Sequence, residues 1–145
     1  MMIFDRTSND VSMALQLVRR GGAFSNEELQ IIERGIVTVN TLNRIEDKQR
    51  ELMYALNDMG YSVVIQCKSW EEGDFFLAED LERISNNTAI LRKAFDALKN
   101  TPANPRAEYH YREFNLMERV LNDVQSNIEI TKGYYKICGV AECGG

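Results

Sequence analysis

The chain has 145 residues, 44% apolar and 27% charged, with two prolines. That is enough for one domain to bury a core without metals or disulfides, and it excludes a disordered or low-complexity chain. A formal net charge of −5, with both signs mixed along the chain, offers no concentrated basic patch, so nucleic acid is not an expected partner.

Apolar runs such as Val63-Val64-Ile65 fall far short of the roughly 20 residues of a membrane helix. The opening Met1-Met2-Ile3-Phe4-Asp5-Arg6 lacks the charged-then-apolar design of a secretion signal. No membrane partner is expected, and the chain belongs in the cytoplasm unless it leaves inside a particle. Cys67, Cys138 and Cys143 are odd in number and lack the close spacing of a metal knuckle, so they are expected to be reduced thiols.

In chain order, Asp5-Arg6-Thr7-Ser8 supplies capping oxygens, and Val11, Leu15 and Val18 follow at helical spacing until Gly21-Gly22. A first short helix is predicted. Ser25 and Glu28 have capping-box spacing behind Phe24, and Leu29 and Ile32 lead to a stop at Gly35, which predicts a second short helix.

Leu42, Ile45, Gln49, Leu52, Leu56 and Met59 then form a heptad-like seam with one polar interruption, ended by Gly60 as a left-handed cap. Tyr61 to Lys68 changes to a β-branched run and predicts a strand, followed by a turn at Trp70 to Asp74. Leu81, Ile84, Thr88, Leu91, Phe95 and Leu98 repeat the seam and predict a second long helix from about Ala78 to Lys99. After the proline-bearing linker 100–105 the seam returns in Phe114, Met117, Leu121, Val124, Ile128 and Thr131. It is predicted to end at Gly133, with a second strand over Tyr134 to Val140.

The predicted fold is mainly α. It is a bundle of three long helices plus two short N-terminal helices with a small two-stranded β element, all one domain over 1–145. Two segments, about 36–72 and 108–141, read as helix-strand copies: Leu42-Asn43-Arg44-Ile45-Glu46 leads to Gly60-Tyr61, and Phe114-Asn115-Leu116-Met117-Glu118 leads to Gly133-Tyr134. The short connections favour near-antiparallel packing of the long helices.

No residue set suggests a reactive centre. There is no glycine elbow around a serine and no phosphate loop, and the single histidine, His110, lies between two tyrosines at a helix start. Glu71/Glu72 and Glu79/Asp80 read as a solvated turn and a helix N-terminus. The expectation is no enzyme, no cofactor and no metal.

The Asn43/Glu46 and Asn115/Glu118 pairs stand out, because an amide and a carboxylate three residues apart share a helix face. They read either as polar locks inside the domain or as polar groups facing a partner chain. Trp70 reads as core or as an interface anchor, whereas Phe76 reads as core.

A resemblance emerges from these motifs taken in order. Asp5-Arg6-Thr7, Thr41-Leu42-Asn43-Arg44-Ile45-Glu46, Gly60-Tyr61, Trp70 with Asp74, Asn87 through Leu91-Arg92, Tyr111 through Asn115 with Glu118, and a tyrosine-rich segment near the end resemble a family of short structural proteins in the tail modules of Gram-positive phages and prophages. The family carries prolines where this chain has Phe75-Phe76-Leu77.

The resemblance implies a non-enzymatic component of a phage or phage-tail-like particle, in the tail, baseplate or fibre-attachment region. Its partners would be neighbouring tail, baseplate or fibre proteins and further copies of itself, in the virion and, during assembly, in the host cytoplasm. The alternative from a different class is a cytoplasmic helical adaptor or regulatory binding protein. An enzyme of unrecognised type is a third reading, weakened by the missing nucleophile and base.

Overall fold

The computed structural model describes residues 2–94 and 104–140. Five helices lie among them: α1 (Ser8–Arg20), α2 (Asn26–Gly35), α3 (Val39–Asp58), α4 (Ala78–Lys93) and α5 (Tyr111–Val140). The fold is mainly helical, as the periodicity predicts.

The local signals act where they stand. The Asp10 amide donates to Thr7 Oγ1 while Asp10 Oδ2 accepts the Thr7 amide, and Ser25 and Glu28 make the same reciprocal pair. At the end of α3, Gly60 adopts φ +97°, which lets the Tyr61 amide reach back to the Leu56 carbonyl at 3.0 Å.

The three seams converge on one core. Leu42, Ile45, Leu52 and Leu56 of α3 pack with Leu81, Ile84 and Leu91 of α4 and with Phe114, Met117, Leu121, Val124 and Ile128 of α5. Full burial of each such side chain is worth about 1.5–3 kcal/mol. Phe95 and Leu98 of the predicted second seam, and most of the proline linker, lie outside the described residues.

The long helices run parallel, and the near-antiparallel expectation is corrected. Glu46 and Gln49, in order along α3, meet Arg83 and then Ile84 and Thr88, in order along α4. Tyr109 bonds the Val37 backbone, and Phe76 lies 6.1 Å from Tyr109 and 6.5 Å from Phe114. All three long helices therefore start at one end of the bundle. The connection after α3 must run back along that helix, roughly 30 Å at 1.5 Å per residue, and 59–77 is long enough to do so fully extended. Asn57 holds Val63, Glu46 holds Lys68 and Asn43 holds Trp70, so the chain descends α3 from its end to its start.

The two-stranded β element is also corrected: no strand occurs among the described residues. Tyr61 to Lys68 is extended, but several of its main-chain groups bond side chains rather than a second strand. Asn57 bonds both the amide and the carbonyl of Val63, Glu46 accepts from the Lys68 amide, and Asn87 and Arg83 donate to the Gln66 carbonyl. Residues 134–140 continue α5 through Gly133. An interior glycine costs a helix only about 1 kcal/mol, and with no strand to pair with, a β-prone run gains nothing by leaving the helix. Neither copy has its strand: the first is a helix followed by an extended segment, and the second continues as helix through residue 140.

α1 and α2 form a hairpin outside that core. They cross at Ala14 and Gly35 so closely that a Cβ on Gly35 would stand 2.3 Å from the Asp10 carbonyl oxygen and 2.5 Å from Ala14 Cβ. Only Ala14 of the hairpin is fully buried.

Candidate functional site

The Asn-x-x-Glu pairs sit near the starts of α3 and α5, beyond the first turn, and each clamps an extended piece of chain to its helix. Asn43 Nδ2 donates to the Trp70 carbonyl at 2.9 Å, and the Trp70 amide donates to Asn43 Oδ1 at 2.8 Å. Asn115 does the same to Arg6, donating to its carbonyl at 2.9 Å and accepting from its amide at 3.0 Å. A carboxamide presents one donor and one acceptor side by side, the complement of one residue's N–H and C=O.

Each glutamate completes its clamp one turn further on. Glu46 accepts from the Lys68 amide at 2.9 Å, from Trp70 Nε1, and from both terminal nitrogens of Arg83. Glu118 accepts from the Ile3 amide at 3.0 Å and from Arg44 Nε at 2.6 Å and Nη2 at 3.2 Å, with Arg6 Nη2 2.5 Å away. The clamps differ in topology. Asn43 holds chain that follows its helix, and Asn115 holds chain from the start of the protein.

Both carboxylates have 0% exposure, where an unpaired charge would cost several kcal/mol. Arg6 and Arg44 balance Glu118 and Glu33, while Arg83 and Lys68 balance Glu46 and Asp80. Burial opposes the charge on Arg44, but Glu118 outweighs it and raises the pKa. The Glu46 hydrogen bond raises that of Arg83. Both guanidiniums stay charged.

The first cluster also attaches the hairpin to the bundle. Arg6 Nε donates to the Arg34 carbonyl at the end of α2, and Glu33 accepts from Thr38, Thr41 and Arg44. Arg34 in turn pairs with Asp5 and Asp10, each at 3.0 Å. Burial raises the Asp10 pKa, but the Thr7 amide and hydroxyl and Arg34 together leave it below the ordinary carboxylate value.

Trp70 is buried at 4% exposure and stacks edge-on with the partly buried Phe76 at 5.7 Å. Lys68 Nζ lies 4.2 Å from the Trp70 ring centroid. Gln49, the polar break in the α3 seam, donates to the Ile84 carbonyl and Thr88 Oγ1, each at 2.9 Å. His110 caps α5: its carbonyl accepts the Glu113 and Phe114 amides, and its Nδ1 accepts the Arg112 amide at 3.1 Å.

The arginines completing the clamps, Arg6, Arg44 and Arg83, were not singled out from sequence. Their signal is faint, because an arginine beside a seam normally reads as solvated surface. Cys67 is a free thiol whose pKa is pushed up by burial and then by Glu46, which keeps it neutral. Among the described residues no three His, Cys, Asp or Glu side chains group to hold a metal, and no helix is long and apolar enough to cross a membrane.

An open apolar groove of about 410 Å³ lies where the hairpin meets the start of α5, lined chiefly by Val11, Leu15, Ile36, Val37, Tyr109 and Tyr111. Compared with protein-family models, curated proteins and solved structures, the chain matches none.

Proposed function

We propose that this protein is a non-enzymatic structural component of a phage or phage-tail-like particle, in the tail, baseplate or fibre-attachment region. It works by packing against neighbouring proteins. The observation that carries the reading is the placement of apolar surface. The long-helix seams close on one another within the chain, whereas Met13, Leu15, Val18 and Leu29 of the hairpin are exposed outside the core. Val64 and Phe75, on the connection after α3, are exposed as well, and apolar side chains left outside a closed core are surface that a protein partner can cover. Asn43, Glu46, Asn115 and Glu118 are occupied in holding segments of this chain together, so the partner surface lies elsewhere.

Mass spectrometry of purified particles from a producing strain, with electron microscopy of particles lacking the gene, tests the proposal. The expected result is this chain among the particle proteins and incomplete tails in its absence. Recovery only in the soluble fraction, bound to one partner while particles stay complete, would overturn it in favour of a cytoplasmic adaptor.

A further inference from the structure

The exposed side chains around the apolar groove point to its occupant. Phe75 is 82% exposed and Leu77 50% exposed, in a turn that also carries Glu71, Glu72 and Asp74. The groove is bordered by Arg112, whose guanidinium lies 5.8 Å from the Tyr111 ring centroid. Nearby acids are engaged locally: Asp5 and Asp10 by Arg34, Glu108 by Arg106, and Glu113 by the Arg106 amide. Arg112 has no carboxylate partner among the described residues. Glu71 and Glu72 have no cation there.

We propose that the groove between the α1–α2 hairpin and the start of α5 receives the Phe75 turn of a second copy of this chain. The fit is one of shape and charge. An apolar cavity of roughly 150 Å³ accepts a benzene ring, so about 410 Å³ accommodates the Phe75 ring with Leu77 behind it. Acidic residues flank the aromatic knob, and Arg112, without a carboxylate partner among the described residues, flanks the groove.

Phe76 joins the two halves of the surface, lying 5.7 Å from Trp70 on the turn side and 6.1 Å from Tyr109 on the groove side. Knob and groove therefore share one end of the bundle. A two-fold pairing then seats each copy's turn in the other's groove with one self-complementary surface. The pairing deepens the assembly reading and rests on it only for its setting in a particle.

Sedimentation velocity of the purified full chain over a range of concentrations reads the pairing directly. The expected result is a reversible dimer that weakens with added salt. Phe75→Ser raises the dissociation constant at least tenfold without lowering the melting temperature, because the ring is solvent-exposed in the monomer. Arg112→Glu also weakens pairing, and combining it with Glu71→Lys and Glu72→Lys restores it. A monomer at every concentration, or a Phe75→Ser chain that associates like the parent, overturns the inference. A monomeric chain that is nonetheless found in particles refutes the pairing and leaves the proposed function standing. A pairing chain missing from particles does the reverse.

Discussion

Asn43 and Asn115 each hold both main-chain groups of one residue in an extended segment, and among the described residues no strand is present to take over those bonds. Alanine at either position leaves a half-buried N–H and C=O seeking new partners, which costs about 1–3 kcal/mol. Urea unfolding of Asn43→Ala and of Asn115→Ala is expected to show lower midpoints with little change in slope, and midpoints equal to the parent's would show the clamps to be dispensable. The spacing of Asn to Glu was readable as a shared helix face. What the amides hold was not, because Trp70 lies 27 residues downstream of Asn43 and Arg6 lies 109 upstream of Asn115.

At the scale of elements, the hairpin and the bundle are held by different means. The bundle has a continuous apolar core, while the hairpin depends on the close crossing at Ala14 and Gly35 and on the Arg6, Arg34 and Arg44 ion pairs. Gly35→Ala forces a methyl against the Asp10 carbonyl and Ala14, an overpacking cost of about 1–3 kcal/mol. Hydrogen exchange is expected to quicken in α1 and α2 while the α3, α4 and α5 seams keep their protection. Uniform loss of protection across all five helices would mean that hairpin and bundle unfold as one unit. The helix starts here were legible, α2 from its capping box and α1 from the capping oxygens of 5–8, though the Thr7–Asp10 box was not read as such. The need for glycine at position 35 read only as a helix stop, since close approach of another helix leaves no mark in local sequence.

For the whole molecule, the parallel course of the long helices makes a claim that distances can check. With the natural cysteines replaced, spin labels at Asn40 and Glu79 mark the starts of α3 and α4, and a label at Asp58 marks the end of α3. The Asn40–Glu79 distance is expected to be shorter than Asp58–Glu79 by a large part of the roughly 27 Å rise from Asn40 to Asp58. An antiparallel bundle would reverse the order. The extended connection is what makes the parallel course possible, and side chains from α3 and α4 keep it in place.

The amino-acid sequence by itself determined where helices begin, which faces are apolar and that three seams share one core, because caps and periodicity act over a few residues. Whether a β-prone run becomes a strand, whether helices run parallel, and which arginines neutralise Glu46 and Glu118 were decided only by tertiary structure. A strand needs a partner, a helix direction depends on the path of the chain between helices, and a buried charge is balanced by whatever cation the fold brings near. Those partners are distant in sequence, so no local pattern records them.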